Sequence, residues 1–325
     1  MKYLKHTSKE KAPENAVWQQ FAGPTLTSST YAGELALPYV SAALKSGATL
    51  ANNWINVLDD VPYKAVINRI EGASLIADAT CDFTDAGSVT VTERVLETKE
   101  LQVNIDLCKK TLRQGWQAAN TGNSLNGQMP TEFQDYVIGH VAGLVAEATE
   151  NSIWNGISST AGEFTGFCHA GNGHFTNDAT VNDVALTGVI TSSNIVAHLT
   201  SVLDDTASEV LSKSDFAIYV NPKTAFFYSQ ALGASGYQLD YQANAKPSNV
   251  FGYPLLACPG IPDNNIVATY QSNLNFGSNI LSNLAEVRVI DMSPLDGSDN
   301  VRFVMRYAGG TQHGVGADVS WGVAS

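Results

Sequence analysis

The sequence predicts an α+β protein. Three observations carry this: alternating apolar residues over 63–107, one long amphipathic helix over 131–155, and a final third built of short strand-like runs. Strands, then a helix, then a mixed stretch, then strands again differs from the regular βαβ alternation of a parallel sheet.

Residues 1–62 alternate polar stretches with short apolar patches (Trp18, Phe21; Leu35, Leu37; Trp54, Ile55, Leu58) and sustain no helical period. They read as an extended segment that needs another surface to pack on. Residues 63–67 are a strand candidate. Past the turn-rich stretch 82–88, Val89, Val91 and Val95 alternate; Leu101, Val103, Ile105 and Leu107 then alternate with Gln102, Asn104 and Asp106 between them. Period two with β-branched residues predicts strands with one covered face, here a long antiparallel excursion with its tip near 82–88.

In 131–155, Phe133, Val137, Val141, Leu144, Val145 and Ala148 fall on one helical stripe. Pro130 precedes it and Gly156 takes the C′ position. At 1.5 Å per residue such a helix spans about 37 Å. Beyond a loop-rich bridge over 157–190, Thr191-Ser192-Ser193 can cap a helix carrying Ile195, Val196, Leu199, Val202 and Leu203. A strand over 216–220 precedes Asn221-Pro222, a cap and first-turn proline opening a helix through Phe226, Phe227 and Leu232. Further strands are expected at 255–257, 266–270, 287–290, 301–307 and 315–321.

Composition narrows the function. Of 325 residues, 18 are Lys or Arg and 31 Asp or Glu, a net charge of −13. That argues against phosphate-backbone binding as the main task, which needs a basic face. Hydrophobic residues reach 44% and charged residues only 15%, which excludes acidic disorder and suggests surfaces made for contact. The N-terminal MKYLKHTSKEKAPEN contains no apolar segment of a secretory signal, and no window approaches a membrane span. Cys81, Cys108, Cys168 and Cys258 are far apart and form no CxxC pair, so they read as buried, reduced thiols of a cytosolic protein. No fixed-period repeat is present.

Chemical signatures are weak. Cys168, His169, His174, Asp178 and Asp183 are metal-capable but lack CxxC or HxxxH spacing, and read as a glycine-rich loop with incidental histidines. Asp59-Asp60 and Asp204-Asp205 are adjacent and point apart, as solvated turn acids or contact charges do. Residues 122–127 are one residue too long for a GxSxG elbow, and Ser8-Lys9-Glu10-Lys11 matches SxxK by letters alone. No Walker A, GxGxxG or HExxH motif is present. His140 reads as a packing or interface histidine. The lysines at 2, 5, 9 and 11 read as a solubilising tail, with a nucleic-acid arm as the alternative. No enzyme, cofactor or metal site is expected.

Three features in order carry a family resemblance: the run Val103-Asn104-Ile105-Asp106-Leu107-Cys108-Lys109-Lys110-Thr111-Leu112 continuing to Trp116; the helix end Glu150-Asn151-Ser152-Ile153-Trp154-Asn155-Gly156 with Gly162-Glu163-Phe164-Thr165-Gly166-Phe167; and Phe251-Gly252-Tyr253-Pro254-Leu255-Leu256 with Asn273-Leu274-Asn275-Phe276-Gly277 and the terminal strands. Together they resemble major capsid proteins of tailed bacteriophages with the Hong Kong 97-type fold, especially those of Bacteroidetes-infecting phages.

The resemblance implies an N-arm over 1–62, an E-loop over 63–106, a peripheral (P) domain over 107–188 with its spine helix at 131–155, an axial (A) domain over 189–285, and returning P-domain strands over 286–325. It implies a shell protein assembling as hexamers and pentamers into an icosahedral virion head around double-stranded DNA, in the host cytoplasm. Trp18, Phe21, Asp82, Phe83, Asp85, Arg94, Glu97 and Lys99 are the expected subunit-interface residues. Expected partners are further copies of the chain, a separate scaffolding protein (no room remains for a fused one), a portal and decoration proteins. Membrane contact is not expected. An encapsulin, enclosing cargo protein in the same fold, is the alternative. Lys64 and Lys99 border the E-loop, but no catalytic partner is identified and crosslinking is not expected.

Overall fold

The computed structural model describes residues 47–61, 63–73, 76, 78, 79, 81, 87–108, 131–234, 249–278 and 288–324. The elements, in chain order, are α1 (Ala48–Ala51), β1 (Asn56–Leu58), β2 (Lys64–Ala73), β3 (Ser88–Glu97), β4 (Lys99–Cys108), α2 (Thr131–Asn155), β5 (Asn182–Leu186), α3 (Ile195–Asp204), α4 (Ser208–Leu211), β6 (Phe216–Val220), α5 (Pro222–Ala234), β7 (Asn249–Val250), β8 (Tyr253–Ala257), β9 (Asn265–Tyr270), β10 (Leu274–Ser278), β11 (Arg288–Asp291), α6 (Ser293–Asp296), β12 (Asn300–His313) and β13 (Ser320–Ala324). The α+β expectation holds.

The long strand β12 organises the first sheet. β4 pairs antiparallel with residues 300–309, β11 with 301–304, and β10 with 309–313; β1 adds parallel to β10. A second, six-stranded sheet runs β5-β13-β9-β6-β8-β7. β6 is apolar along its length, and β6 and β9 are buried on both faces, β9 enclosing the polar Asn265 and Thr269 as well. Helices α3 and α5 cover this sheet around a core of Ile195, Leu199, Val202, Phe216, Tyr228 and Ile266. The other core joins α2 to the first sheet through Ile153, Trp154, Phe164, Phe167, Phe276 and Met305.

Several expectations need correction. Residues 47–61 find their packing surface within their own chain: β1 pairs with β10, Ile55 is buried, and Thr49 is wholly enclosed against α2. The antiparallel excursion consists of β2 and β3 alone, and β4 lies in the central sheet. On α2, Val141 and Val145 are buried but Leu144 and Ala148 face outward; the buried line continues instead through Thr149, Glu150, Ile153 and Trp154. Polar Thr149 and Glu150 hid that rotation of the stripe. Gly156 has no left-handed φ. It is required because a Cβ there would collide with the Phe164 carbonyl oxygen.

The hydroxyl cap expected for α3 is replaced by a turn in which Ile195 N–H donates to the Thr191 carbonyl at 3.0 Å. By contrast, Asn221 Oδ1 does cap α5, accepting from Lys223 N at 2.9 Å. β13 begins five residues later than the expected start, after a short 3-10 turn over 316–318. Cys168 and Cys258 are buried as expected, whereas Cys81 and Cys108 are exposed. No helix among the described residues is long and apolar enough to cross a membrane.

Candidate assembly surface

β2 and β3 pair antiparallel from Lys64↔Glu97 to Ala73↔Ser88, a ribbon ten residue pairs long. In this register Val66 faces Val95 and Ile70 faces Val91, with Val89 two residues beyond. Side chains of like parity share a face, so all five lie together. All five are exposed, Ile70 at 72% and Val91 at 58%. The sequence alternation was therefore read correctly, but among the described residues nothing covers the apolar face. The opposite face carries Ile67, Arg94 and Leu96, which turn towards the body.

The ribbon joins the body over very little chain. Thr98 alone separates β3 from β4, and it is buried. Its N–H donates to the Tyr63 carbonyl at 2.9 Å, which ties the two strands at the root. Leu96 is fully buried against Gly277, where any Cβ would strike its side chain, and a Cβ on Gly310 would strike the Glu97 carbonyl oxygen. Two glycines thus let the ribbon root lie flat on β10 and β12. A cleft of about 650 Å³ beside the root is lined by Tyr63, Val95, Glu97, Lys99, Phe164 and His174 among others.

Arg94 is anchored across the root. Its Nη2 pairs with Asp178 Oδ2, and its Nη1 lies 2.9 Å from His313 Nε2. His313 Nε2 is also 2.8 Å from Asp178 Oδ2. Thr180 donates to Asp178 Oδ1 through both its N–H, at 3.0 Å, and its hydroxyl, at 2.7 Å. Burial alone would push the Asp178 carboxyl up, but hydrogen bonds from His313, Thr180 and Arg94 outweigh it and hold the group well below the usual carboxylate range. Burial pushes the His313 imidazole down, opposed by its hydrogen bond to Asp178. His174, whose ring centroid is 6.3 Å from that of His313, is held at about 4 by burial first and then by His313.

No protein-family model matches this chain, and no curated protein matches it in sequence. Solved structures do. The capsid of an empty GTA particle is 16% identical, covering 89% of this chain and 92% of that one, with a TM-score of 0.57. The Gordonia phage Cozz structure is 13% identical over 99% of both chains, TM-score 0.57. The capsid of Myoviridae phage XM1 is 9% identical over 89% of this chain and 95% of that one, TM-score 0.55. This chain has the phage capsid fold. At such identities only the backbone plan is shared, and none of the three names a Bacteroidetes phage.

Within the capsid fold, the interface residues expected from sequence separate into groups. Trp18, Phe21, Asp82, Phe83 and Asp85 lie outside the described residues. Arg94 spends its charge within its own chain, as above. Lys99 does the same: its ammonium donates to the carbonyls of Ser158, Thr160 and Glu163 at 2.8, 3.1 and 2.7 Å. All three of its protons are thereby used to close the turn after α2. Glu97 sits 3.4 Å from Lys64 in an exposed cross-strand pair, which raises the Lys64 pKa. The apolar face of Val66, Ile70, Val89, Val91 and Val95 was not among the expected interface residues, although its alternation had been seen.

The loop of metal-capable residues is also rearranged. His169 Nδ1 accepts from Gly171 and Asn172 N–H and shapes a turn. The Cys168 thiol is pushed up by burial. Among the described residues no group of three or more His, Cys, Asp or Glu is placed to hold a metal. Asp178 gains its partners Arg94 and His313 from 84 and 135 residues away, so spacing in the sequence carried no signal of the network.

Proposed function

We propose that this chain is a major capsid protein, which assembles as hexamers and pentamers into a closed phage head enclosing double-stranded DNA. The observation that carries the reading is the ribbon. A two-stranded ribbon is marginal in water by itself, and a contiguous exposed apolar face marks a contact surface. Here that face belongs to a projecting element joined to β4 through one residue, so the surface it fits is another copy of the same chain. In this reading the ribbon is the E-loop, α2 the spine of the peripheral domain, and the six-stranded sheet with α3 and α5 the axial domain. A net charge of −13 suits DNA held by enclosure rather than by attraction to the shell wall. Scaffold, portal and decoration proteins belong to the same proposal, and assembly takes place in the bacterial cytoplasm before the protein resides in the virion.

The test is electron microscopy of the chain expressed alone and with the genes that flank its own. Closed shells of uniform diameter are expected, together with their loss in the Ile70→Asp/Val91→Asp variant. Shells that form equally well from that variant would overturn the assignment of the ribbon. A chain that stays monomeric under both expression conditions would overturn the capsid reading itself.

A further inference from the structure

We propose that Arg94, Asp178, His313 and His174 form an acid-opened latch that fixes the angle at which the β2–β3 ribbon leaves the body. Three separate parts of the chain meet here. Arg94 stands on β3 four residues before the joint at Thr98, Asp178 on the loop ahead of β5, and His313 on the last residue of β12. The Arg94 and Asp178 side chains are 27% and 14% exposed, and His313 only 1%. Beside the backbone joint and Leu96, this network ties the ribbon root to the body, helped by Gln312 Nε2 donating to the Val95 carbonyl at 3.1 Å.

The latch is closed only while its histidines are neutral. A protonated imidazole needs acceptors at both ring nitrogens. His313 Nδ1 and His174 Nε2 are buried with no hydrogen-bond partner, so each additional proton would enter a site with nothing to receive it. Each would also place a positive charge near Arg94, and among the described residues Asp178 is the carboxylate bonded to that group. The other charged groups that face His174 across the cleft are Glu97, Lys99 and Glu100. Lys99 is committed to three carbonyls and Glu97 to Lys64. Asp178 stays ionised throughout, because its hydrogen bonds hold it well below the usual carboxylate range. Acid therefore acts through the histidines, and the ribbon then turns about Thr98. This inference rests on the root geometry of the single chain and does not depend on the capsid reading.

The native chain carries its own reporter positions. Cys81, beyond the end of β2, and Cys108, at the end of β4, are exposed, while Cys168 and Cys258 are buried. Nitroxides on Cys81 and Cys108 of the dilute, unassembled chain report the ribbon-to-body distance by pulsed electron resonance. A narrow distance distribution is expected at about pH 7.5 and a broad, shifted one at about pH 4.5, with near-ultraviolet circular dichroism unchanged. Arg94→Gln should be broad at both values, and His174→Gln/His313→Gln narrow at both. A wild-type distribution that does not change with pH overturns the latch, as does whole-chain loss of the dichroism signal before any change in distance. An Arg94→Gln chain as narrow as wild type at about pH 7.5 overturns it as well. Should the histidine variant fail to fold, the wild-type and Arg94→Gln measurements decide the matter alone.

Discussion

Replacing Thr49 by valine tests how residues 47–61 are held to the body. Thr49 is completely enclosed, and its hydroxyl makes a hydrogen bond in each direction. It donates to Glu150 Oε1 at 2.6 Å and accepts from the Trp154 indole N–H at 2.9 Å. Valine has nearly the same shape but neither capacity. Losing a hydrogen bond to a buried charged group costs about 1.5–3 kcal/mol, and stranding a buried indole N–H about 1–3 kcal/mol. Together the loss comes to about 2.5–6 kcal/mol. At about 2 °C per kcal/mol for a chain of this size, the Tm of the unassembled protein should fall by about 5 °C or more. Thr49→Ser keeps the hydroxyl and should cost about 1 kcal/mol or less. Limited proteolysis supplies a second readout, since cleavage within 47–61 should accelerate in the valine variant alone. If Thr49→Val melts within about 2 °C of wild type, then Glu150 and Trp154 do not depend on that hydroxyl, and the account of what anchors the segment is wrong.

Other outcomes follow from the same geometry. Gly260→Ala drives a Cβ into the Glu150 carbonyl and to 2.8 Å from Trp154 Cδ1, so a loss of about 3 kcal/mol or more and insoluble expression are expected. Lys99→Met removes the donor from three carbonyls; a cost of about 1–2 kcal/mol and faster hydrogen exchange over 157–166 are expected, because water replaces part of the loss. Ile70→Asp/Val91→Asp should shift the Tm of the isolated chain by less than about 2 °C, since both side chains are exposed, while abolishing particles in sedimentation. Because burial holds His174 down at about 4, the unfolded chain takes up that proton first. Stability is then full above about pH 6.5 and is lost as pH falls towards about 4. Urea midpoints that stay flat across that window would contradict it.

Much of this fold was legible because the decisive patterns are local. Period two across 101–107 and the 25-residue helical stretch each announce their geometry within a few turns of chain. The ribbon alternation at Val89, Val91 and Val95 was equally clear, but a period cannot say whether its apolar face is covered. That depends on what else the fold places nearby, and here none of the described residues covers it. The packing of Thr49 on Glu150 spans 101 residues, and the Arg94 network spans 84 and 135. Such pairings are decided by topology, which no spacing rule in one sequence contains. Lys99 shows the same limit: spacing gives no sign of the three carbonyls, 59 to 64 residues away, to which its ammonium donates.

The single residue between β3 and β4 also has a mechanical meaning. A projecting element joined through a slack loop would dissipate a pull by straightening that loop. Thr98 offers no slack, so tension along the ribbon passes straight into β4. That strand is paired with β12 through ten consecutive residues, and tension along its axis loads the whole ladder in shear instead of peeling it one rung at a time. The protein is thus built to transmit force from its outermost strands to its central one, with the antiparallel pairing of β4 and β12 as the seam that bears it.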